Sequence, residues 1–255
     1  MRKIITPEYA SFLLSKNHKN RQIKKLYLAD LIEVMKRGDF VYNGETIIIS
    51  DTGIVLDGQH RLMACEKSGV SIDVELIEGV SENVMSTIDT GVKRTAGDVL
   101  TLNGVTQSLG TAKVIRTIIQ FRQKKNFLSM LTQRGGAITN QDILNFYLAE
   151  PEVSKAIVDS GASKVKINIM ESSAIAAIWY ILKDIDLEKA NDFFYYLLYG
   201  GDNGVINLLR EKLIANATSN RKMSYRERTM LTFKAWDKYI NGIPTKLLKV
   251  SIILS

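Results

Sequence analysis

One stretch in the first third of the chain carries its most regular pattern and constrains the fold most strongly. Two short apolar runs rich in β-branched residues, Ile47–Ile49 and Ile54–Leu56, flank the turn at Asp51–Gly53, which predicts a hairpin. Helix-forming residues follow and continue to the helix stop at Ser68-Gly69. Residues 70–77 then alternate apolar and polar side chains, as expected for a strand with one buried face.

The pentapeptide Asp57-Gly58-Gln59-His60-Arg61, called the DGQHR box below, lies where the second of these strands passes into the helix. The first amides of a helix lack intrahelical partners and carry the positive end of its dipole, so a turn opened by glycine there can receive an anion. Gly58 allows a ligand to approach the backbone, and His60 and Arg61 add donors. We therefore predict that Gly58, Gln59, His60 and Arg61 bind a phosphate group.

Asp57 does not suit a phosphate directly, because both groups are anionic. It caps the helix, orients His60 or Arg61, or holds a cation that bridges to the ligand. The alternative is that the whole box is structural, with Asp57 as a cap, Gly58 as a turn residue, and His60 and Arg61 on the surface.

The order strand, D-G-Q-H-R-L, helix, strand resembles the phosphate-binding segment of the ParB/sulfiredoxin superfamily. A second segment, Thr87–Asp98, resembles the I-D-T-G-x-x-R-T-A-x-D-V stretch of a ParB-like family common in phages and prophages. The resemblance covers about residues 1–105, and the rest of the chain resembles only the helical tail of these phage relatives. It implies a nucleoside triphosphate, ATP or CTP, with Mg²⁺ as a possible cofactor.

The N-terminal segment of this superfamily folds over the phosphate box, and Asn20-Arg21 resembles its N-x-R element, which adds Arg21 to the predicted site. The surrounding run, residues 16–25, contains five basic residues and no acid. Lys19, Lys24 and Lys25 are therefore predicted to contact nucleic acid; the alternative is a solvated loop and helix start. Sulfiredoxin activity is not expected, because Gln59 stands where that family has its cysteine.

A second helix start follows at Thr95, which forms a predicted capping box with Asp98 and is preceded by Arg94. Two such helix starts, each with an arginine, could together bind one triphosphate or one nucleic-acid backbone. The predicted phosphate-binding residues here are Thr90, Lys93, Arg94 and Thr95. In the alternative, Asp89 pairs with Arg94 to fix the loop.

No acidic residue occurs between Asp98 and Asp142, whereas basic residues are frequent there. An amphipathic helix with one basic face is the best candidate for contact with DNA phosphates, although it could also be an ordinary basic surface. The predicted contacts are Arg116, Arg122, Lys124 and Lys125. A second basic cluster, Arg221, Lys222, Arg226 and Arg228, surrounds a later helix start.

Composition limits the function classes only loosely. The net charge of +7 favours a polyanionic partner, and no apolar run approaches the roughly 20 residues that cross a bilayer. One cysteine excludes an internal disulfide framework, and with two histidines it leaves too few ligands for a zinc site, so no metal site is predicted. We expect a cytoplasmic protein of a bacterial host or a phage-infected cell.

The resulting interpretation is an α+β fold, with a ParB/sulfiredoxin-like small mixed sheet and helices in residues 1–104 and an all-α domain in residues 105–255. We predict a DNA-binding protein with a nucleotide site, serving phage DNA metabolism or regulation; a homodimer is compatible with it. The alternative is a ParB-fold enzyme, an ATP-dependent phosphotransferase or a metal-dependent nuclease, with Asp57 and Glu45 as catalytic residues. A purely structural or protein-binding role is the third hypothesis.

Overall fold

The computed structural model describes residues 1–17, 22–88, 94–124, 136–164, 169–201 and 204–249. The chain divides into two compact units, residues 1–93 and 94–255. The sequence interpretation places the division later, after residue 104. The helix Ala96–Leu102 packs against the following helix, Ser108–Lys124, and both belong to the second unit.

The first unit contains a four-stranded mixed sheet of β1 (Arg2–Ile5), β2 (Thr46–Ser50), β3 (Val55–Asp57) and β4 (Ile72–Val80), in the order β1-β4-β2-β3. Strands β1 and β4 are antiparallel, as are β2 and β3, whereas β2 and β4 are parallel. A short 3₁₀ helix, Glu82–Thr87, follows the last strand. The α-helices of this unit are α1 (Pro7–Ser15), between β1 and β2, α2 (Lys25–Lys36), also before β2, and α3 (Gln59–Ser68), between β3 and β4.

The core of this unit lies between the sheet and its helices, because the strands alternate buried and exposed side chains. Helix α3 packs against both α1 and α2. Cys65 of α3 is fully buried, and burial raises the pKa of its thiol to about 11, so it behaves as a small apolar residue. The core includes Ile5, Leu13, Met35, Ile47, Ile49, Leu62, Val74 and Leu76.

Helices alone form the described part of the second unit, around a core centred on the helix Ser172–Lys183. They are α4 (Ala96–Leu102), α5 (Ser108–Lys124), α6 (Asn140–Ala149), α7 (Ala156–Asp159), α8 (Ser172–Lys183), α9 (Leu187–Tyr199), α10 (Gly204–Thr218) and α11 (Tyr225–Ile240), with short 3₁₀ helices at Pro151–Lys155 and Ala162–Lys164. Thr95, Thr139 and Ser224 each form a capping box that starts a helix.

The predicted α+β class with a helical C-terminal part is confirmed. The hairpin of β2 and β3, the helix after the DGQHR box and the capping box at Thr95 are also confirmed. The sequence interpretation did not include β1, which pairs Ile5 with Ile72 of β4. No helix among the described residues is both long and apolar enough to cross a membrane.

Candidate functional site

The DGQHR box joins β3 to α3 through a left-handed glycine. Gly58 has φ 93° and ψ 7° and forms the N-cap of α3. A Cβ atom at this position would lie 2.8 Å from Cγ1 of Ile47, so a side chain is excluded both by backbone conformation and by packing. Gly58 provides no side-chain cap, in contrast to Thr95 at the start of α4. The positive end of α3 therefore carries no hydroxyl or carboxylate of its own N-cap residue.

His60 lies inside the unit rather than on its surface, with 6% of the residue exposed. Its Nε2 accepts a hydrogen bond of 3.0 Å from the backbone amide of Lys24, and its ring meets Tyr27 edge-on at 5.3 Å. An Nε2 atom that accepts from an amide is unprotonated, so it does not donate to a ligand in this state. His60 thus anchors the start of α2 to the start of α3.

The guanidinium of Arg61 connects α3 to the strands before it. Nη2 donates to the Thr46 carbonyl and to Asp57 Oδ2, both at 2.8 Å, and Nη1 donates to Glu45. Among the three roles predicted for Asp57, the structure therefore supports the orientation of Arg61. The Glu45–Arg61 pair joins residues 16 positions apart, and the sequence offered no signal for it.

Two polar atoms of the box are buried without a hydrogen-bond partner among the described residues: Nε of Arg61 and Oε1 of Gln59. A buried unpaired polar atom costs about 1–3 kcal/mol. Each such atom calls for an explanation, such as an ordered water, an ion or a functional role. The Arg61 side chain is 15% exposed, whereas that of Glu45 is 51% exposed, so Glu45 is the partner that can leave most easily.

Lys24 and Lys25 lie at the start of α2, which His60 holds beside the box. Both lysines are exposed, and neither forms an ion pair with any residue that the structure describes. Of the predicted N-terminal basic segment, Lys24 contacts the DGQHR box through its backbone amide. Lys19 and Arg21, the other predicted members, fall outside the described residues.

The predicted helix start at Thr95 differs from the start of α3, because the carboxylate of Asp98 in the same helix caps it. The Asp98 carboxylate accepts hydrogen bonds from the Thr95 amide at 2.7 Å and from the Thr95 hydroxyl at 2.8 Å. These bonds hold the pKa of Asp98 below its usual value. Arg94 is exposed, and its carbonyl accepts a bond from Asn140. Thr90 and Lys93 lie outside the described residues.

The basic face predicted for α5 is partly neutralised by acids from elsewhere in the second unit. Arg122 donates to both carboxylate oxygens of Glu150 and lies 3.7 Å from Asp184. Arg116 donates to the carbonyl of Ile138. Lys124 lies at the last residue of α5. This stretch of sequence contains no acidic residue, but the fold brings acidic residues from other segments close to it. Lys125, the fourth predicted contact, falls outside the described residues.

Within the described part of the chain, no group of three or more histidine, cysteine, aspartate or glutamate side chains could hold a metal ion. Glu45 and Asp57, the predicted catalytic pair, do converge, but on the Arg61 guanidinium. A nucleotide phosphate and Mg²⁺ at this place remain predictions.

Comparisons with known proteins identify no relative of this chain. No protein-family model, no curated protein and no solved structure matches the chain. The resemblance to the ParB/sulfiredoxin superfamily therefore stays a prediction from the two sequence motifs.

Proposed function

We propose that this protein binds nucleic acid and that the DGQHR box receives a phosphate group, either from the backbone or from a nucleotide. The observation that supports this most directly is the His60–Lys24 hydrogen bond. It brings two exposed lysines, Lys24 and Lys25, to the same end of the first unit as the uncapped start of α3. A helix N-terminus beside cationic side chains is a favourable place for an anion.

The Arg61 guanidinium supplies the specific contact in this proposal. Asp57 and the Thr46 carbonyl fix its position, and its Nε–H has no partner among the described residues. Glu45 occupies Nη1 through a half-exposed side chain. A phosphate that displaced Glu45 would accept a charge-assisted hydrogen bond from Nη1.

Helix α5 contributes less to nucleic-acid binding in this proposal than the sequence pattern predicted. Arg122 is already engaged by two carboxylates, so its charge contributes little to a phosphate backbone. The helix start of α4 already holds the Asp98 carboxylate. The first unit is therefore the main binding surface in this account.

Salt-dependent DNA binding tests the proposal. The double variant Lys24→Gln, Lys25→Gln removes two charges next to the box. Log K falls as log salt rises, and each lost phosphate contact makes this negative slope shallower by about 0.9 for duplex DNA and about 0.7 for single strands. We expect the slope to become shallower by an amount that corresponds to up to two such contacts. Binding at low salt should weaken for all sequences.

The first unit offers a matched control at the opposite ends of the same two helices. Lys36 and Lys67 are exposed residues in the last turns of α2 and α3. The double variant Lys36→Gln, Lys67→Gln changes the net charge equally but should leave the slope unchanged. Equal loss in both double variants would reduce the effect to overall charge and would contradict the proposed surface.

The enzymatic alternative is favoured by one observation, the convergence of Glu45 and Asp57 on a single guanidinium. In that case one of the carboxylates acts as the base of an ATP-dependent phosphotransferase or helps a nuclease to hold its metal. Asp57→Asn separates the two proposals. An enzyme would lose turnover while retaining its ligand, whereas a binding protein has no turnover to lose.

A further inference from the structure

The second unit contains a pocket of about 260 Å³ that none of the predicted site residues enters. It lies where the end of α10, the connection to α11 and the start of α8 meet. Ligand sites for drug-sized molecules usually measure roughly 300–1,000 Å³, so this pocket suits a smaller group. It is lined by Ile169, Glu171, Asn216, Ala217, Lys222, Met223 and Arg228.

The charges around the pocket leave a net positive balance. Arg228 donates to Glu171 at 3.0 Å, which pairs these two groups. Burial raises the pKa of Glu171, but a backbone hydrogen bond, the bond from Arg228 and the charges of Arg228 and Lys113 together hold that pKa below its usual value. Lys222 is exposed and forms no ion pair with a described residue, so its charge is uncompensated.

Two of the residues that line the pocket, Asn216 and Arg228, also carry hydrogen-bond donors. Asn216 is 8% exposed, and its Oδ1 accepts a hydrogen bond from the Met223 amide. Its amide nitrogen, the donor end, makes no hydrogen bond to any described residue. Nε of Arg228 is buried and has no hydrogen-bond partner in the described part of the chain. A buried donor without a partner is uncommon in a folded protein, and this one belongs to a residue that lines a basic pocket.

We propose that this pocket binds a phosphate group through Lys222, Arg228 and the Asn216 amide. Arg228 and Lys222 provide the charge, and Asn216 provides a neutral donor held in place by its bond to Met223. Ile169, Ala217 and Met223 give the pocket an apolar wall for the part of the ligand that carries the phosphate. The phosphate belongs either to a small free compound or to a nucleic-acid backbone. This inference does not depend on the DGQHR box.

Two substitutions test the pocket in the full chain. Lys222→Gln removes an exposed charge without disturbing the core. Asn216→Asp keeps the oxygen that accepts from Met223 but replaces the donor by a second carboxylate oxygen, which repels an anion. Lys155→Gln is the matched control, because Lys155 is exposed in the same unit and does not line the pocket.

Calorimetric titrations with inorganic phosphate and with a single-stranded oligonucleotide without terminal phosphates distinguish the two sources. We expect each pocket variant to weaken binding about tenfold, as for one charge-assisted contact, and Lys155→Gln to have no effect. A loss for inorganic phosphate alone assigns a free compound, and a loss for the oligonucleotide assigns a backbone. Absence of binding by both probes, or equal binding by wild type and both pocket variants, would overturn the proposal.

Discussion

The His60 imidazole accepts a hydrogen bond of 3.0 Å from the Lys24 backbone amide, across 36 residues of sequence. Lys24 is the N-cap of α2 and has no side-chain cap, so His60 provides an acceptor for the free amide of this residue. The buried histidine of the DGQHR box is therefore first a positioning residue. It fixes where the basic start of α2 lies.

Replacement of His60 should release this segment. We expect His60→Leu to cost about 1 kcal/mol, because the Lys24 amide loses its acceptor, and to increase exchange of that amide with solvent about fivefold. In His60→Gln, whose side chain can still accept a hydrogen bond, the Lys24 amide should exchange more slowly than in His60→Leu. Hydrogen exchange followed by NMR measures this, with the Leu62 amide as an internal reference. Unchanged Lys24 exchange in His60→Leu would show that the bond does not hold the segment.

Gly58→Ala should destabilise the first unit by about 2–4 kcal/mol. About 1–2 kcal/mol comes from the left-handed backbone, and the rest from overpacking against Ile47. Gly69→Ala at the other end of α3 is the control, since φ there is 72° but no atom lies within 4 Å of the added Cβ. Urea unfolding of both variants should show the larger loss at Gly58. Equal losses would mean that the contact with Ile47 relaxes freely.

Glu45→Gln should strengthen phosphate binding at the DGQHR box roughly fivefold. Glu45 competes with an incoming anion for Nη1 of Arg61, and glutamine lacks the charge that makes it a competitor. Titration of wild type and variant with ATP and CTP in the presence of Mg²⁺ measures the difference. Glu66→Gln, an exposed residue on the same unit, controls for net charge. Weaker binding in Glu45→Gln would indicate that Glu45 itself contacts the ligand or its metal.

The Arg122–Glu150 pair makes a predicted contribution to stability at neutral pH. The hydrogen bonds from Arg122 lower the pKa of Glu150 relative to its unfolded value of about 4.3, so the paired carboxylate stabilises the fold above that pH. This contribution, about 1 kcal/mol, is lost as the pH falls through the folded pKa. Urea unfolding should therefore separate wild type from Glu150→Gln at pH 7 and less so near pH 3. A constant difference would contradict the pairing, and Glu211→Gln provides an exposed control.

Local patterns in the sequence predicted much of the fold. The DGQHR helix, the capping box at Thr95 and the helical C-terminal part follow from residue spacing and cap chemistry, which act over a few residues. Strand β1 is different. Residues 2–5 are too short a run to show alternation. They form a strand because they pair with the edge of β4, which lies about 70 residues later in the chain.

The site shows the same division between local and distant effects. The sequence placed Gly58 and Arg61 at a helix start, but it could not reveal that His60 turns inward or that Glu45 reaches Arg61. For α5, the absence of nearby acids in the sequence suggested a free basic face. The fold instead brings Glu150 and Asp184 to Arg122, because ion pairs form between helices that are distant along the chain.

The most direct test of the central claim is an NMR titration of the full chain with ATP and with CTP, each with Mg²⁺, followed at the backbone amides of Gln59, His60 and Arg61. If the start of α3 receives a phosphate, these three amides should shift together, saturate at one ligand concentration, and lose the response in Arg61→Gln. Absence of a saturable shift at all three amides with either nucleotide, and with a short DNA strand in a parallel titration, would contradict the account.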